Sequence, residues 1–160
     1  MSARATRSPS SGLPEPLSAR RRFLGFLLAW LAATAAWAQP VQPSGEDANA
    51  IRAVVEAQLA AFREDDAEKA FSYAAPVIRQ KLGSAAAFME MVRDGYAPLY
   101  RPRLVEFLSA AVIDGETVQA VRVVGQDGDV KVALYFMERQ ADGSWKIKAC
   151  ELAPATALSA

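Results

Sequence analysis

The sequence contains no histidine and only one cysteine, and each scarcity excludes a class of chemistry. Cys150 alone cannot form an internal disulfide, so we expect a packed core to stabilise the chain. Without imidazole, Ser-His-Asp and Cys-His nucleophilic sites are excluded in their usual form. Zinc and non-haem iron sites built on histidine are excluded as well. We therefore expect no metal site, no cofactor, and a Cys150 that is a small buried residue rather than a nucleophile.

The sequence also lacks a basic tract beyond its N-terminal segment. Five of the 18 basic side chains precede residue 39, but only one of the 18 acidic side chains does. The chain from residue 39 onward therefore has 13 basic and 17 acidic side chains and a net charge of −4. Phosphate neutralisation requires clustered Lys and Arg, so no nucleic-acid partner is expected. The 160 residues suit one domain, and an apolar content of 52% is ample for its core.

The first 38 residues have the layout of an export signal peptide. Arg20-Arg21-Arg22 precede an apolar run of about 16 residues, which is shorter than the roughly 20 of a membrane-spanning helix. Ala36-Trp37-Ala38 forms a cleavage site, so we expect a periplasmic or secreted domain with no membrane attachment after cleavage. An uncleaved anchor is the alternative. The spacing of the arginines and Phe23-Leu24 resembles a twin-arginine signal, and an ordinary secretory (Sec) signal is an equal alternative.

The rest of the chain begins with residues typical of a linker and then of helices. We predict a linker at 39–46, a domain at 47–154 and a flexible tail at 155–160. One apolar stripe with helical spacing predicts a long helix, and its members are Ile51, Val54, Val55, Leu59 and Phe62. Capping and stop residues indicate three shorter helices: Asp65 with Glu68, then Pro76 to Gly83, then Ser84 to Gly95.

Beyond Gly95 the apolar period changes from helical to alternating. Four strands are predicted at 103–112, 116–124, 130–140 and 144–152, and Asp-Gly dipeptides suited to hairpin turns separate them. In the third strand Val130, Val132, Leu134 and Phe136 share one face, which we predict to be core. Helices followed by an antiparallel meander indicate an α+β domain whose helices pack on one face of a curved sheet.

Four segments carry a resemblance to a known family: residues 50–62, 65–71, 95–102 (GYAPLYRP) and 142–147. Through them the chain resembles the bacterial family called domain of unknown function 4864, within the nuclear transport factor 2-like superfamily of cone-shaped α+β domains. The resemblance covers about residues 47–152, and 95–102 is its most specific part. It implies a cone formed by N-terminal helices on a curved antiparallel sheet, and no established activity.

The densest aromatic and basic cluster beyond the signal lies near this same specific segment. Phenol rings and guanidinium groups suit an anionic or planar ligand, so we predict a ligand site at Tyr96, Tyr100, Arg101 and Arg103. The alternative is a stiff connector from helix to sheet, with Arg101 paired to an acidic side chain such as Glu106 or Glu138.

An enzymatic function is the less favoured hypothesis. Superfamily members that resemble ketosteroid isomerase place a carboxylate in the cone, and Glu106 stands here in an apolar context that could raise its pKa. Alternatively, Glu106 faces water or pairs with Arg122 or Arg103. We therefore favour an exported, non-catalytic domain that binds a small apolar or anionic molecule or a protein partner. An isomerase or dehydratase using Glu106 is the alternative, and a homodimer through the sheet face is a third possibility.

Overall fold

The structure is a computed structural model that describes residues 41–158, so the export signal predicted at 1–38 lies outside the described residues. The helices are α1 Gly45–Arg63, α2 Ala67–Ser72, α3 Pro76–Leu82, α4 Ala85–Gly95 and α5 Ala97–Tyr100. The strands are β1 Leu104–Ile113, β2 Glu116–Val124, β3 Val130–Arg139 and β4 Trp145–Pro154, followed by a 3₁₀ helix at Ala155–Leu158. Within this range no helix combines the length and the apolar character that a membrane crossing needs.

Side-chain caps fix the start of three helices. Ser44 Oγ accepts the Asp47 N–H at 3.1 Å, and Ser84 Oγ, at a predicted cap, accepts the Ala87 N–H at 3.2 Å. The first of these places the start of α1 at Gly45, within the segment predicted as linker. The 3₁₀ helix likewise lies within the segment predicted as a flexible tail.

The cap of α2 lies one residue later than predicted, at Asp66, whose carboxylate accepts the Lys69 N–H at 3.0 Å. Asp65 cannot be the cap of α2 because it belongs to the end of α1. It has a left-handed φ of 56°, and the N–H of Asp66 donates to the carbonyl of Ala61 at 2.9 Å. This is the 6→1 bond of a Schellman motif, with an aspartate at the position that glycine usually occupies.

The four strands form one antiparallel sheet in the order β1-β2-β3-β4, so the predicted α+β class is confirmed. Asp114 and Gly115 both have positive φ, 52° and 80°, as a two-residue type I′ hairpin turn requires. The pairing of β1 with β2 is irregular between Phe107 and Ala110, and the pairing of β3 with β4 is irregular between Phe136 and Met137. The nuclear transport factor 2-like cone implied by the resemblance stays a prediction.

The helices cover one face of the sheet, and this is not the face predicted from β3. Ala133, Tyr135 and Met137 point into the core with the helices, where α1 contributes its predicted buried stripe. Val132, Leu134 and Phe136 lie on the opposite, outer face, where Val132 is buried and the other two are half-buried. The predicted face is therefore buried only at Val132 and is not the face that meets the helices. Both faces of β3 are apolar, so alternation alone cannot tell which one the helices cover.

Candidate functional site

A cavity of about 260 Å³ lies between the helices and the inner face of the sheet. Its wall is mainly apolar, with contributions from Phe62, Ile78, Leu82, Met91, Val92 and Leu99. An apolar cavity of about 150 Å³ holds benzene, and typical ligand sites begin at about 300 Å³. The volume therefore suits a molecule of about ten non-hydrogen atoms, by scaling from benzene.

Tyr135 is one of the residues that line this cavity, and its hydroxyl group is buried. The side chain is 1% exposed, and its Oη has no hydrogen-bond partner among the described residues. Burial raises the pKa of the phenol well above its ordinary value, so the group stays neutral and protonated. A buried hydroxyl without a partner costs about 1–3 kcal/mol. A ligand whose carbonyl or hydroxyl group reached this atom would remove that cost.

Three other polar groups of the wall are already engaged or neutral. Gln58 Nε2 donates to the carbonyl of Ala70 at 3.2 Å, and the Tyr96 hydroxyl donates to the carbonyl of Cys150 at 3.0 Å. Burial, with a smaller contribution from Glu151, raises the pKa of the Cys150 thiol to about 12. The thiol is thus protonated at neutral pH, although Cys150 is of intermediate exposure and not fully buried as predicted.

Acid–base and metal chemistry have no support in this cavity. None of its described lining residues is an aspartate or glutamate, and a cluster of three or more metal-ligating side chains is absent from residues 41–158. A neutral phenol in an apolar wall can donate or accept a hydrogen bond, but it cannot act as a general base at neutral pH.

The structure divides the predicted Tyr96–Arg103 ligand site. Tyr96 lines the cavity, whereas Arg103 is exposed at the residue before β1. The Tyr100 hydroxyl and Arg101 Nη2 both donate to the carboxylate of Asp65. Tyr100 and Arg101 thus fit the connector alternative, in which Asp65 replaces the partners that we predicted.

The same carboxylate also binds Arg93, whose Nη2 lies 3.2 Å from Asp65 Oδ1. Arg93 and Arg101 stack over the Tyr100 ring at 5.3 and 5.2 Å from its centroid. Through these contacts Asp65, at the end of α1, is joined to α4 and to the segment that connects the helices to the sheet. The contacts hold that side of the helical layer together.

Glu106 does not occupy the position that the enzymatic hypothesis requires. It lies on the outer face of the sheet, where Arg122 Nη1 donates to its carboxylate at 2.8 Å. Its side chain is 49% exposed, whereas the enzymatic hypothesis requires a carboxylate buried in an apolar site. The ion pair with Arg122 is the alternative that we considered from the sequence.

Sequence reasoning missed Gln58, Lys81 and Tyr135 as residues of the cavity wall. Gln58 had a recognisable signal, because it is a polar residue within the apolar stripe of α1. Tyr135 alternates with Ala133 and Met137, a pattern that becomes informative only when the helical face of β3 is known. Lys81 carries no local signal, since an exposed lysine near the end of a short helix is ordinary.

A comparison with known families gives one match. The model described as Domain of unknown function (DUF4864) matches residues 44–160, a range that includes the described domain from its first helix cap onward. Searches of curated proteins and of solved structures gave no significant match.

Proposed function

We propose that this chain, which belongs to the DUF4864 family of domains of unknown function, is an exported protein that binds a small, mainly apolar molecule in its cavity. The observation that carries the proposal is the unpaired hydroxyl of Tyr135 in an apolar wall. Native proteins rarely leave such a group without a partner. A ligand with one carbonyl or hydroxyl group on an apolar body supplies that partner and fills the space around it.

Binding is favoured over catalysis because the wall supplies recognition but no base. The cavity's described polar groups are an amide, two phenols, a thiol and one lysine, and none is a carboxylate. Ligand pockets of proteins commonly combine an apolar lining with a few placed polar groups. Tyr135 has that role here, and the bonds of Gln58 and Tyr96 to the backbone hold the wall in place.

The location outside the cytoplasm rests on the sequence. The arginines at 20–22, the apolar run and Ala36-Trp37-Ala38 support export and cleavage after Ala38. The mature chain then begins at Gln39, five residues before the Ser44 cap of α1. Cleavage at this point leaves the whole described domain intact.

Replacing Tyr135 by Phe tests the proposal. The change removes an unpaired buried hydroxyl and keeps the ring, so we expect the free energy of unfolding of the ligand-free protein to rise by about 1–2 kcal/mol. Binding of the probe 1-octanol should weaken about fivefold, because one neutral hydrogen bond of about 1 kcal/mol is lost. Urea unfolding and calorimetric titration measure the two effects.

Tyr100→Phe is the matched control. Its hydroxyl donates to Asp65, so the same chemical change should lower stability and leave the binding of 1-octanol unaltered. Loss of stability in Tyr135→Phe, with binding of 1-octanol unchanged, would show that the hydroxyl of Tyr135 is structural and would refute the proposed site.

The outer face of the sheet supports self-association as a second role. Leu104 and Ile113, the two ends of β1, are each 53% exposed there, and Leu134 and Phe136 lie half-buried on β3, two strands away. The face carries both charge signs in the pairs Glu106–Arg122 and Glu116–Lys148, so two copies related by a two-fold axis can meet without net repulsion. Sedimentation velocity should show a dimer that dissociates on dilution. A monomer at every concentration contradicts this role.

A further inference from the structure

One cation belongs to the cavity wall, and it stands on the least buried of the helices around it. Ile78, Lys81 and Leu82 of α3 line the cavity, although no residue of α3 is buried. Lys81 is exposed, and no carboxylate of residues 41–158 lies within 4.0 Å of its ammonium group. The edge of the cavity at α3 therefore combines access from solvent with a positive charge that has no ion-pair partner in the described domain.

We infer that the ligand is an amphipathic anion: an apolar chain whose neutral hydroxyl or carbonyl group reaches Tyr135 and whose carboxylate, or similar charge, stays beside Lys81. This inference rests on the proposed binding function. Transfer of an anion into an apolar wall without a partner is costly, so the charge must remain at the edge. The described lining includes no cation other than Lys81.

The position of α3 also determines the orientation of such a ligand. Since α3 is the least buried part of the wall, a molecule that enters beside it does so with its neutral end first. Its charged end then keeps its contact with water and meets Lys81. A second cation on α3, Arg79, is engaged elsewhere: its guanidinium lies over the Phe71 ring, 5.4 Å from the centroid. Arg79 does not line the cavity.

Three probes with the same eight-carbon chain distinguish the contributions of the charged end and the neutral end to binding. They are 8-hydroxyoctanoate, which has both groups, octanoate, which has the charge alone, and 1,8-octanediol, which has hydroxyls alone. Calorimetric titration of each into the mature protein is compared with titration into Lys81→Gln and Arg79→Gln. Both variants remove one positive charge from α3, but only Lys81→Gln alters the cavity wall.

We expect Lys81→Gln to weaken both carboxylates about threefold to fivefold, the range of an ion pair that water reaches. Binding of the diol should be unchanged, Arg79→Gln should alter none of the three, and Lys81→Arg should restore the affinity for the carboxylates. Equal losses for diol and carboxylates, equal losses in the two Gln variants, or no loss in Lys81→Gln would each overturn the inference.

Different outcomes of this experiment refute the anionic ligand alone or the binding function as a whole. If the diol binds and the carboxylates do not, or if Lys81 makes no difference, the anionic ligand is refuted and the binding cavity stands. If none of the three probes binds, the anionic ligand and the proposed binding function are both refuted.

Discussion

Iodoacetamide should alkylate Cys150 at pH 8 roughly 50- to 100-fold more slowly in the folded protein than in the urea-unfolded chain. A pKa of about 12, caused mainly by burial, reduces the thiolate population on the order of 10³-fold below that of a free cysteine with a pKa of about 8.5. The greater nucleophilicity of a more basic thiolate returns part of this factor. The alkylation rate of the folded protein should rise about tenfold per pH unit between pH 7 and 9, because the thiolate fraction of Cys150 does so below its pKa.

The single cysteine of the chain makes this measurement specific. The Cys150→Ser variant measures how much iodoacetamide alkylates groups other than Cys150. Cys150→Ala combined with Ser144→Cys places the thiol in an exposed turn, where alkylation should match the unfolded chain. A folded-state rate for Cys150 within tenfold of the unfolded rate contradicts its position in the cavity wall.

Leu59→Ala should lower the free energy of unfolding by about 2–5 kcal/mol, the usual cost of such a truncation in a core. Leu59 lies on the buried stripe of α1 and is 1% exposed. Alanine is the best helix former, so helix propensity does not contribute to the loss. Leu134→Ala should cost less than half as much, because Leu134 is half-buried on the outer face.

Urea unfolding of the two variants at low protein concentration provides the comparison. Alanine is slightly disfavoured in strands, so strand propensity adds to the loss of stability in Leu134→Ala. A smaller loss in Leu134→Ala than in Leu59→Ala would therefore be observed despite this contribution. A loss at Leu134 equal to that at Leu59 would show that the sheet face was assigned wrongly. If two copies do associate through the outer face, the loss at Leu134 should grow with protein concentration, while the loss at Leu59 should not.

The helices and strands were largely predictable because each carries its own local signal. Ser44, Ser84, Pro76 and Gly83 have the cap and stop functions that their residue types suggest, and each predicted strand lies within two residues of the observed one. These signals depend on backbone geometry within one turn of helix or one hairpin, so tertiary contacts are not needed to interpret them.

The cavity was less predictable because it depends on contacts between distant segments. Tyr135 pairs with Gln119 on one side and Cys150 on the other, and this register places its ring beneath the helices. Asp65 attracts Tyr100 and Arg101 across about 35 residues of sequence, which removes them from the predicted site. Residue types suggested a binding cluster at 96–103, but the position of one acidic partner decided its role.

Native mass spectrometry of the exported fraction of the protein from its own cell tests the proposed cavity ligand and the proposed cleavage together. We expect a chain that begins at Gln39 and carries a non-covalent adduct on the order of 150 Da, the size that the cavity holds. The adduct should be less abundant on Tyr135→Phe collected in the same way. A wild-type protein that carries no adduct and fails to bind 1-octanol afterwards would show that the cavity is not a binding site.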